Sequence, residues 1–242
     1  MLGLGRPKST IEFSAYGKHP AFNDYFSLNI DSPLANALSA WAEKGTKLKG
    51  DQKNNTMIRS FRFWVKGVNK GELVLGVIRD SSDRMGRSYP LLIMGRGSVK
   101  DWDKKWHYIF TRFEPVFRSF EDVSASRYDS FKAFEEKLIK IRFPTSLSVH
   151  EDERSRLPEI MMAWFRKDQE KGALALPVET LLSNADVYSH PKKDWGVFKK
   201  KEAMPGAVFL GGLPENPGLT IYTRPLKAED FLTLFNISTG GE

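Results

Sequence analysis

The sequence predicts an α+β protein with a single domain, in which a central, largely antiparallel sheet packs against helices. Strand-like alternation of apolar and polar residues occurs near both ends of the chain, whereas the middle has apolar residues at helical spacing. Short turns join most of the consecutive strands, and strands joined in this way pair as antiparallel neighbours. No internal repeat, low-complexity tract or linker divides residues 1–242, so we expect both ends to contribute to one sheet.

The amino-terminal region predicts one strand and one helix. Residues 11–16 alternate between apolar and polar side chains, as in a half-buried strand. Asp31 is a suitable cap and Pro33 a suitable first-turn residue for a helix, which we expect to end near Gly45. Residues 47–55 are polar and lack periodicity, so they predict an exposed loop.

Three strands are predicted next, at residues 57–65, 72–78 and 89–94. A short glycine-containing turn at 67–71 joins the first two strands, and a dense charged segment at 80–87 joins the second to the third. The order predicts an antiparallel meander. Its charged tip is a plausible recognition surface, because binding residues concentrate on loops held by a rigid scaffold.

The middle of the chain predicts helices. One spans residues 102–113, and Pro115 should kink it or start a new one. A second spans 131–141. Residues 158–165 fit either a buried helix or a strand, and 177–182 fit a short helix.

The carboxy-terminal section returns to the strand pattern. Residues 207–210 and 219–223 predict two strands, and residues 211–218, which are rich in glycine and proline, predict a turn between them. Pro225 then precedes a last helix that extends through Phe235.

Composition narrows the possible functions and the location. The absence of cysteine excludes disulfides, thiolate metal sites and cysteine nucleophiles. The first ten residues are too polar for a signal peptide, and no run approaches the roughly 20 apolar residues of a membrane span. We therefore expect a cytoplasmic protein without a membrane span.

A net charge of +7 raises the alternative of nucleic-acid binding. The one concentrated basic cluster lies between Lys192 and Lys201 and includes Trp195 and Phe198, so an aromatic and basic patch is conceivable there. Elsewhere the basic residues are interleaved with acidic ones, and no zinc-finger or RNA-binding motif occurs. We therefore favour a protein that does not bind nucleic acid.

No catalytic, cofactor or metal site is predicted. The four histidines, at 19, 107, 150 and 190, stand alone in sequence and are interpreted as surface or core-edge residues. There is no Gly-x-Ser-x-Gly motif around any serine. The turn predicted at Gly95–Lys100 loosely resembles a phosphate-binding loop but lacks the required glycine spacing, so a nucleotide- or phosphate-binding enzyme is kept only as an alternative.

The charged segment contains Asp80, Asp83, Arg84 and Arg87 within eight residues. Arginines beside carboxylates keep them ionised, which disfavours an acid of raised pKa and therefore catalysis. Gly86 suits a position with a positive φ angle. These residues fit an ion-paired turn and a binding site equally well.

Two segments together carry a family resemblance. The first is Tyr16-Gly17-Lys18-His19-Pro20 followed by Asn23-Asp24-Tyr25, and the second is Ser81-Ser82-Asp83-Arg84-Met85-Gly86-Arg87-Ser88-Tyr89-Pro90-Leu91. Their order and spacing resemble the two signatures of the TagF family, also called ImpM, of type VI secretion accessory proteins. Trp41 also stands where the family has a tryptophan.

Three positions depart from the family pattern. Asn23 replaces a glycine, while Tyr25 and Tyr89 replace phenylalanines. Asparagine tolerates left-handed backbone geometry, so the first change is compatible with the same turn. The tyrosines keep the aromatic ring.

The resemblance implies a non-enzymatic cytoplasmic regulator that acts after translation on assembly of the type VI apparatus, through a forkhead-associated scaffold protein. Some relatives are fused to a serine/threonine phosphatase. This chain ends at Glu242 without such a domain, so we expect any phosphatase partner to be a separate protein.

The site residues predicted from the two signatures either bind a partner or define the fold. Lys18 with Asp83, and Asp24 with Arg87, are candidate internal ion pairs, in which case their loss would destabilise the protein. The predicted set is Gly17, Lys18, Pro20, Asp24, Asp83, Arg84, Gly86, Arg87, Tyr89 and Pro90.

Overall fold

The computed structural model describes residues 11–49, 58–148, 157–167, 172–177 and 204–237. Within these residues, eight strands form one sheet in the order β2-β1-β5-β4-β3-β7-β8-β6, and every neighbouring pair is antiparallel. The predicted α+β class with an antiparallel sheet is confirmed. The strands are β1 (Glu12–Gly17), β2 (Phe26–Leu28), β3 (Ser60–Lys66), β4 (Glu72–Arg79), β5 (Leu91–Ser98), β6 (Ala173–Pro177), β7 (Ala207–Leu213) and β8 (Asn216–Tyr222).

Helices cover both faces of the sheet. The apolar residues form two clusters, one shared with α2, α3, α4 and α5, the other with α1 and α6. Strand β3 shows why two clusters form, because Phe61 and Phe63 point into the second while Trp64 points into the first. The helices are α1 (Pro33–Lys49), α2 (Ile109–Arg112), α3 (Glu114–Ala125), α4 (Phe131–Ile139), α5 (Leu157–Lys167) and α6 (Ala228–Ile237).

The predicted end of the first helix is wrong. Helix α1 continues through Gly45 to Lys49, so part of the predicted loop is helical. Gly45 lies against α6, where a Cβ atom would stand 2.2 Å from the Cβ of Phe231. The glycine therefore permits close packing of two helices and does not cap one. Trp41 fixes the same contact by donating its indole N–H to the Lys227 carbonyl at 2.8 Å.

The glycine-containing turn predicted at Gly95–Lys100 is also wrong. Gly95, Gly97 and Ser98 lie inside β5, which pairs with β4 along its length and with β1 as far as Arg96. Cβ atoms on the two glycines would stand 2.9 and 3.0 Å from the ring of Phe143. The glycines therefore make room for an aromatic ring over the strand, and the alternative of a phosphate-binding turn loses its structural basis.

The carboxy-terminal turn is shorter than predicted. Strands β7 and β8 extend to Leu213 and Asn216, so only Pro214 and Glu215 separate them. Gly211 has a φ of +142°, and a Cβ there would lie 2.2 Å from the Ser60 carbonyl oxygen. The glycine therefore reflects close approach of two backbones within the sheet.

The helical middle differs in detail. Trp102 precedes the helices, and a 3-10 turn spans Trp106–Tyr108. Helix α3 is a new helix with Pro115 in its first turn, which is one of the two outcomes predicted for this proline. The ambiguous segment 158–165 is helical, within α5. Strands β2 and β6 were not predicted from the sequence.

Some predictions concern residues outside the described part. Pro177 ends β6, while 178–182 and the basic cluster at 192–201 lie outside the described residues. His150 and His190 do so as well. No helix in the described part is both long and apolar enough to cross a bilayer.

Candidate functional site

The two signature segments meet at one end of the sheet. We call residues 17–25 the first loop and residues 80–90 the charged loop. Gly17, the last residue of β1, pairs with Leu91, the first residue of β5, so both loops leave the sheet side by side. A Ser82–Ser88 bridge and a hydrogen bond from the Tyr89 N–H to the Ser81 carbonyl close the base of the charged loop.

Asp83 organises this site from a buried position. Its Oδ2 lies 3.0 Å from Lys18 Nζ and accepts a hydrogen bond from Arg87 Nε at 2.7 Å. Its Oδ1 accepts the backbone N–H groups of Met85 and Arg87, each at 3.0 Å. The Lys18 and Asp83 side chains are only 4% and 0% exposed, so the carboxylate joins the first loop to the turn that follows it.

The protonation of Asp83 follows from these contacts. Burial alone raises the pKa of a carboxyl group, because it disfavours the charged form. The hydrogen bonds from Lys18 and Arg87 and the Arg87 charge are together stronger and lower the pKa of Asp83 to about 2. Asp83 is therefore an ionised structural acceptor at neutral pH and a poor proton donor.

Further hydrogen bonds join the two loops through their backbones. The Arg84 N–H donates to the Phe22 carbonyl at 2.7 Å, and Arg87 Nη2 donates to the Asn23 carbonyl at 2.8 Å. Lys18 Nζ also donates to the Arg87 carbonyl at 3.3 Å. The exposed pair Arg87–Asp24 is longer, at 3.7 Å. Both internal ion pairs considered from the sequence are thus present, one buried and one exposed.

Backbone geometry explains the glycines and the proline. Gly17 has a φ of +125°, and a Cβ there would lie 2.0 Å from the Pro90 carbonyl oxygen. Gly86 has a φ of +78°, as predicted, but has open space where a Cβ would be. Pro20 occupies the second position of a turn closed by the Phe22 N–H and the His19 carbonyl.

Asn23, which replaces the family's glycine in the first loop, does not adopt the left-handed backbone geometry considered for it. In the described residues, positive φ angles outside glycine occur at Asn29 and Asp101, and Asn23 is not among them. The turn therefore does not use left-handed geometry at this position. Asn23 contributes its carbonyl to Arg87, which any residue can provide.

One tyrosine ring contacts the lysine of the ion pair, and a second ring packs against the first. The Tyr25 ring lies 4.6 Å from the Tyr89 ring in an edge-to-face arrangement, and Lys18 Nζ lies 4.4 Å above the Tyr25 ring. Tyr89 is buried, and burial raises its pKa well above the usual value. The first loop, the ion pair and the charged loop therefore form one packed unit.

A family of known proteins matches the part of the chain that contains the two loops. The family described as "TagF N-terminal domain, Type VI secretion system-associated" matches residues 14–141, just over half of the chain. The chain belongs to the TagF family. The matched region contains both loops, strands β4 and β5 and most of β1.

Structural similarity extends beyond the matched region. A crystal structure of PA0076 from Pseudomonas aeruginosa PAO1 is similar over 96% of this chain and 96% of that one, with a TM-score of 0.55 and 16% identity. At that identity the likeness concerns the fold. No curated protein matches the chain significantly.

The prediction that the histidines lie at the surface or core edge is wrong for His19 of the TagF signature. It is 2% exposed and packs against Phe22, Tyr128 and Phe134. Its Nδ1 accepts the Ala21 N–H at 3.1 Å. Burial lowers the pKa of His19, the Ser124 backbone partly raises it, and the Arg79 charge lowers it further. His107 is also buried.

The TagF site divides into a buried part and an exposed part. Met85 is 75% exposed and Tyr25 is 52% exposed, although both belong to the packed loops. Arg84 is exposed, and its guanidinium forms no hydrogen bond or ion pair with the described residues. Met85 and Tyr25 were not among the site residues predicted from the sequence. An exposed apolar residue between two arginines was the available signal.

The buried ionisable groups of the TagF site are engaged in internal contacts. Its one buried carboxylate is held ionised by two cations, and its histidine is enclosed by aromatic rings. No group of three or more histidine, aspartate or glutamate side chains in the described residues is placed to hold a metal ion. We call Tyr25, Arg84, Met85 and Arg87 the loop face.

Proposed function

We propose that this TagF-family chain is a non-enzymatic regulator of type VI secretion that works in the cytoplasm by binding a forkhead-associated scaffold protein. The loop face is the proposed contact surface. A serine/threonine phosphatase, as a separate protein, would act in the same pathway. Family membership supports the secretion pathway, and the architecture of the loop face supports protein binding.

The observation that carries the proposal is a set of exposed side chains held in place by a rigid base. By the base we mean the buried Lys18–Asp83 pair together with the hydrogen bonds that Asp83 accepts. Met85 and Arg84 follow directly after Asp83, whose hydrogen bonds fix the turn that presents them. Methionine, arginine and tyrosine are enriched at the centres of protein interfaces. Because the base is fixed before binding, a partner would lose little free energy in ordering these loops.

The residues of the base and those of the loop face have different expected roles. Lys18 and Asp83 face each other and are hidden from solvent, so they support the loops without touching a partner. Arg87 has both roles, because its guanidinium bonds to Asp83 and Asn23 while its side chain is 56% exposed. Arg84 and Met85 are therefore the substitutions that change the surface without changing the support.

The test is the affinity of the purified chain for the forkhead-associated scaffold protein of its own secretion system. Arg84→Glu combined with Met85→Ala should weaken binding by about tenfold or more, equivalent to roughly 1.4 kcal/mol. The melting temperature should stay within about 2 °C of wild type, since surface substitutions change stability little.

A matched control lies at the other end of β4. Lys70→Glu with Val68→Ala makes the same kinds of change at two exposed residues of the β3–β4 turn. It should leave affinity within about twofold of wild type. Equal affinity of both double variants would remove the loop face as the contact surface. Absence of wild-type binding would contradict the proposed function itself.

A further inference from the structure

A second surface, which shares no residue with the loop face, lies between α3 and α4. It is a groove of about 420 Å³, which we call the α3–α4 groove. Its apolar lining comes from the exposed Pro115 and from the edges of Val116, Val123 and Ile141, which are otherwise buried in the core. The volume falls within the roughly 300–1,000 Å³ range of binding pockets. The proposed contact of the loop face does not use this groove.

Three cations stand around the groove. Lys137, Lys140 and Arg142 are all exposed and line it. Lys137 donates to the Ser126 hydroxyl, whereas Lys140 and Arg142 form no hydrogen bond or ion pair with the described residues. Asp122 is the one carboxylate in the lining. The groove therefore combines an aliphatic lining with an excess of two positive charges.

We infer that the α3–α4 groove docks an acidic, aliphatic-containing segment of a partner protein. Aliphatic side chains would cover the apolar lining, and carboxylates would face Lys140 and Arg142, which have no other partner in the described part. A single-stranded nucleic acid fits less well, because such sites use exposed aromatic rings for stacking and this lining has none.

The first test measures binding of a designed probe to the whole chain by fluorescence anisotropy. The probe is a synthetic amphipathic helical peptide with leucines on one face and glutamates on the other. A comparison peptide has every glutamate replaced by lysine. Wild type should bind the glutamate peptide at least about tenfold more tightly, because opposite charges attract and like charges repel across an interface. Equal binding of the two peptides overturns the inference.

Two variants locate the binding. Lys140→Glu with Arg142→Glu should weaken binding of the glutamate peptide by about tenfold, whereas Lys66→Glu with Lys70→Glu, an equal charge change elsewhere, should change it by less than about threefold. Ser119→Trp keeps the charge and fills the groove, so it should also weaken binding by about tenfold. Equal losses in the two charge variants, or no loss with Ser119→Trp, overturn the inference.

Other occupants give distinct results. The chain's own acidic residues Glu151, Asp152 and Glu153 are one alternative occupant. If they filled the groove, replacing all three by serine would strengthen probe binding. That result would overturn the inference of a separate partner protein. A concentration-dependent dimer in sedimentation that Ser119→Trp abolishes would assign the groove to a second copy and also overturn it. A single-stranded oligonucleotide that displaces the peptide from wild type but does not bind Ser119→Trp would assign the groove to nucleic acid. That result would also overturn the inference. Unchanged results in all three support the inference.

Discussion

Replacing Asp83 by asparagine should lower the melting temperature of the chain by about 10 °C at neutral pH. Asparagine keeps the size and the Oδ1 acceptor but removes the charge that faces Lys18 at 3.0 Å. The lysine ammonium would then stay buried without its counterion. Removing one partner of a buried pair is more damaging than its net contribution suggests, because the remaining charge is uncompensated.

The same substitution at an exposed carboxylate is the control. Asp24 lies 3.7 Å from Arg87 Nη2 with both side chains more than half exposed, so Asp24→Asn should change the melting temperature by less than about 3 °C. Thermal unfolding followed by circular dichroism measures both. Similar small effects of the two substitutions would show that the buried pair does not hold the loops.

The pH dependence gives the Asp83 result a second readout. The pKa of Asp83 is lowered to about 2 in the folded chain, below the value near 3.9 of an unfolded aspartate. Its contribution is therefore fully present above about pH 4 and is lost as pH falls through about 2. The difference in melting temperature between wild type and Asp83→Asn should shrink over that interval.

Gly17→Ala should destabilise the chain by about 4 kcal/mol and reduce the soluble yield. Two effects add at this position. The φ of +125° is strained for any residue with a Cβ, and that Cβ would lie 2.0 Å from the Pro90 carbonyl oxygen. Neither backbone can move aside easily, because Gly17 pairs with both Phe26 and Leu91. Urea unfolding measures the loss.

Gly86→Ala separates the two effects. Gly86 also has a positive φ, of +78°, but nothing lies within 4 Å of its would-be Cβ. Only the conformational cost remains, so the substitution should lower the free energy of unfolding by about 1 kcal/mol. Equal losses at Gly17 and Gly86 would mean that the contact with Pro90 has no energetic consequence.

Much of the fold could be predicted from the sequence because hydrophobic periodicity records which faces are buried. Strand β3 is an example, since a strand was predicted at 57–65 and its alternate residues do face opposite sides of the sheet, with Phe61 and Phe63 in one apolar cluster and Trp64 in the other. Glycine was the main source of error. Gly45, Gly95 and Gly211 all looked like breaks, yet each lies inside a helix or strand where another group approaches closely. Such contacts involve residues far away in the chain.

The site was partly predictable for a related reason. Family resemblance selected Lys18, Asp83 and Arg87, and charge alone suggested that they pair. The sequence could not separate Arg84 from Arg87, which stand three residues apart in the same loop. In the structure Arg87 is bonded to Asp83 and Asn23, whereas the Arg84 guanidinium has no such contact with the described residues. A double substitution of Arg84 and Arg87 would therefore change both the hydrogen bonds that support the loops and the exposed surface.

Burial could not be read from residue type in this site. Lysine, aspartate and histidine are ordinarily exposed or half-exposed, yet Lys18, Asp83 and His19 are among the buried polar residues. Methionine is ordinarily buried, yet Met85 is 75% exposed. This inversion results from the packing of the two loops against each other, which encloses the charges and leaves the turn tip exposed.

Hydrogen exchange of the chain alone and of the chain saturated with the forkhead-associated scaffold protein shows whether the loop face binds that protein. Binding at the loop face predicts slower exchange of backbone amides in residues 22–25 and 82–88, with no change in the β3–β4 turn at 67–71. Protection confined to other parts of the chain, with unchanged exchange in both loops, would rule out the loop face as the contact surface.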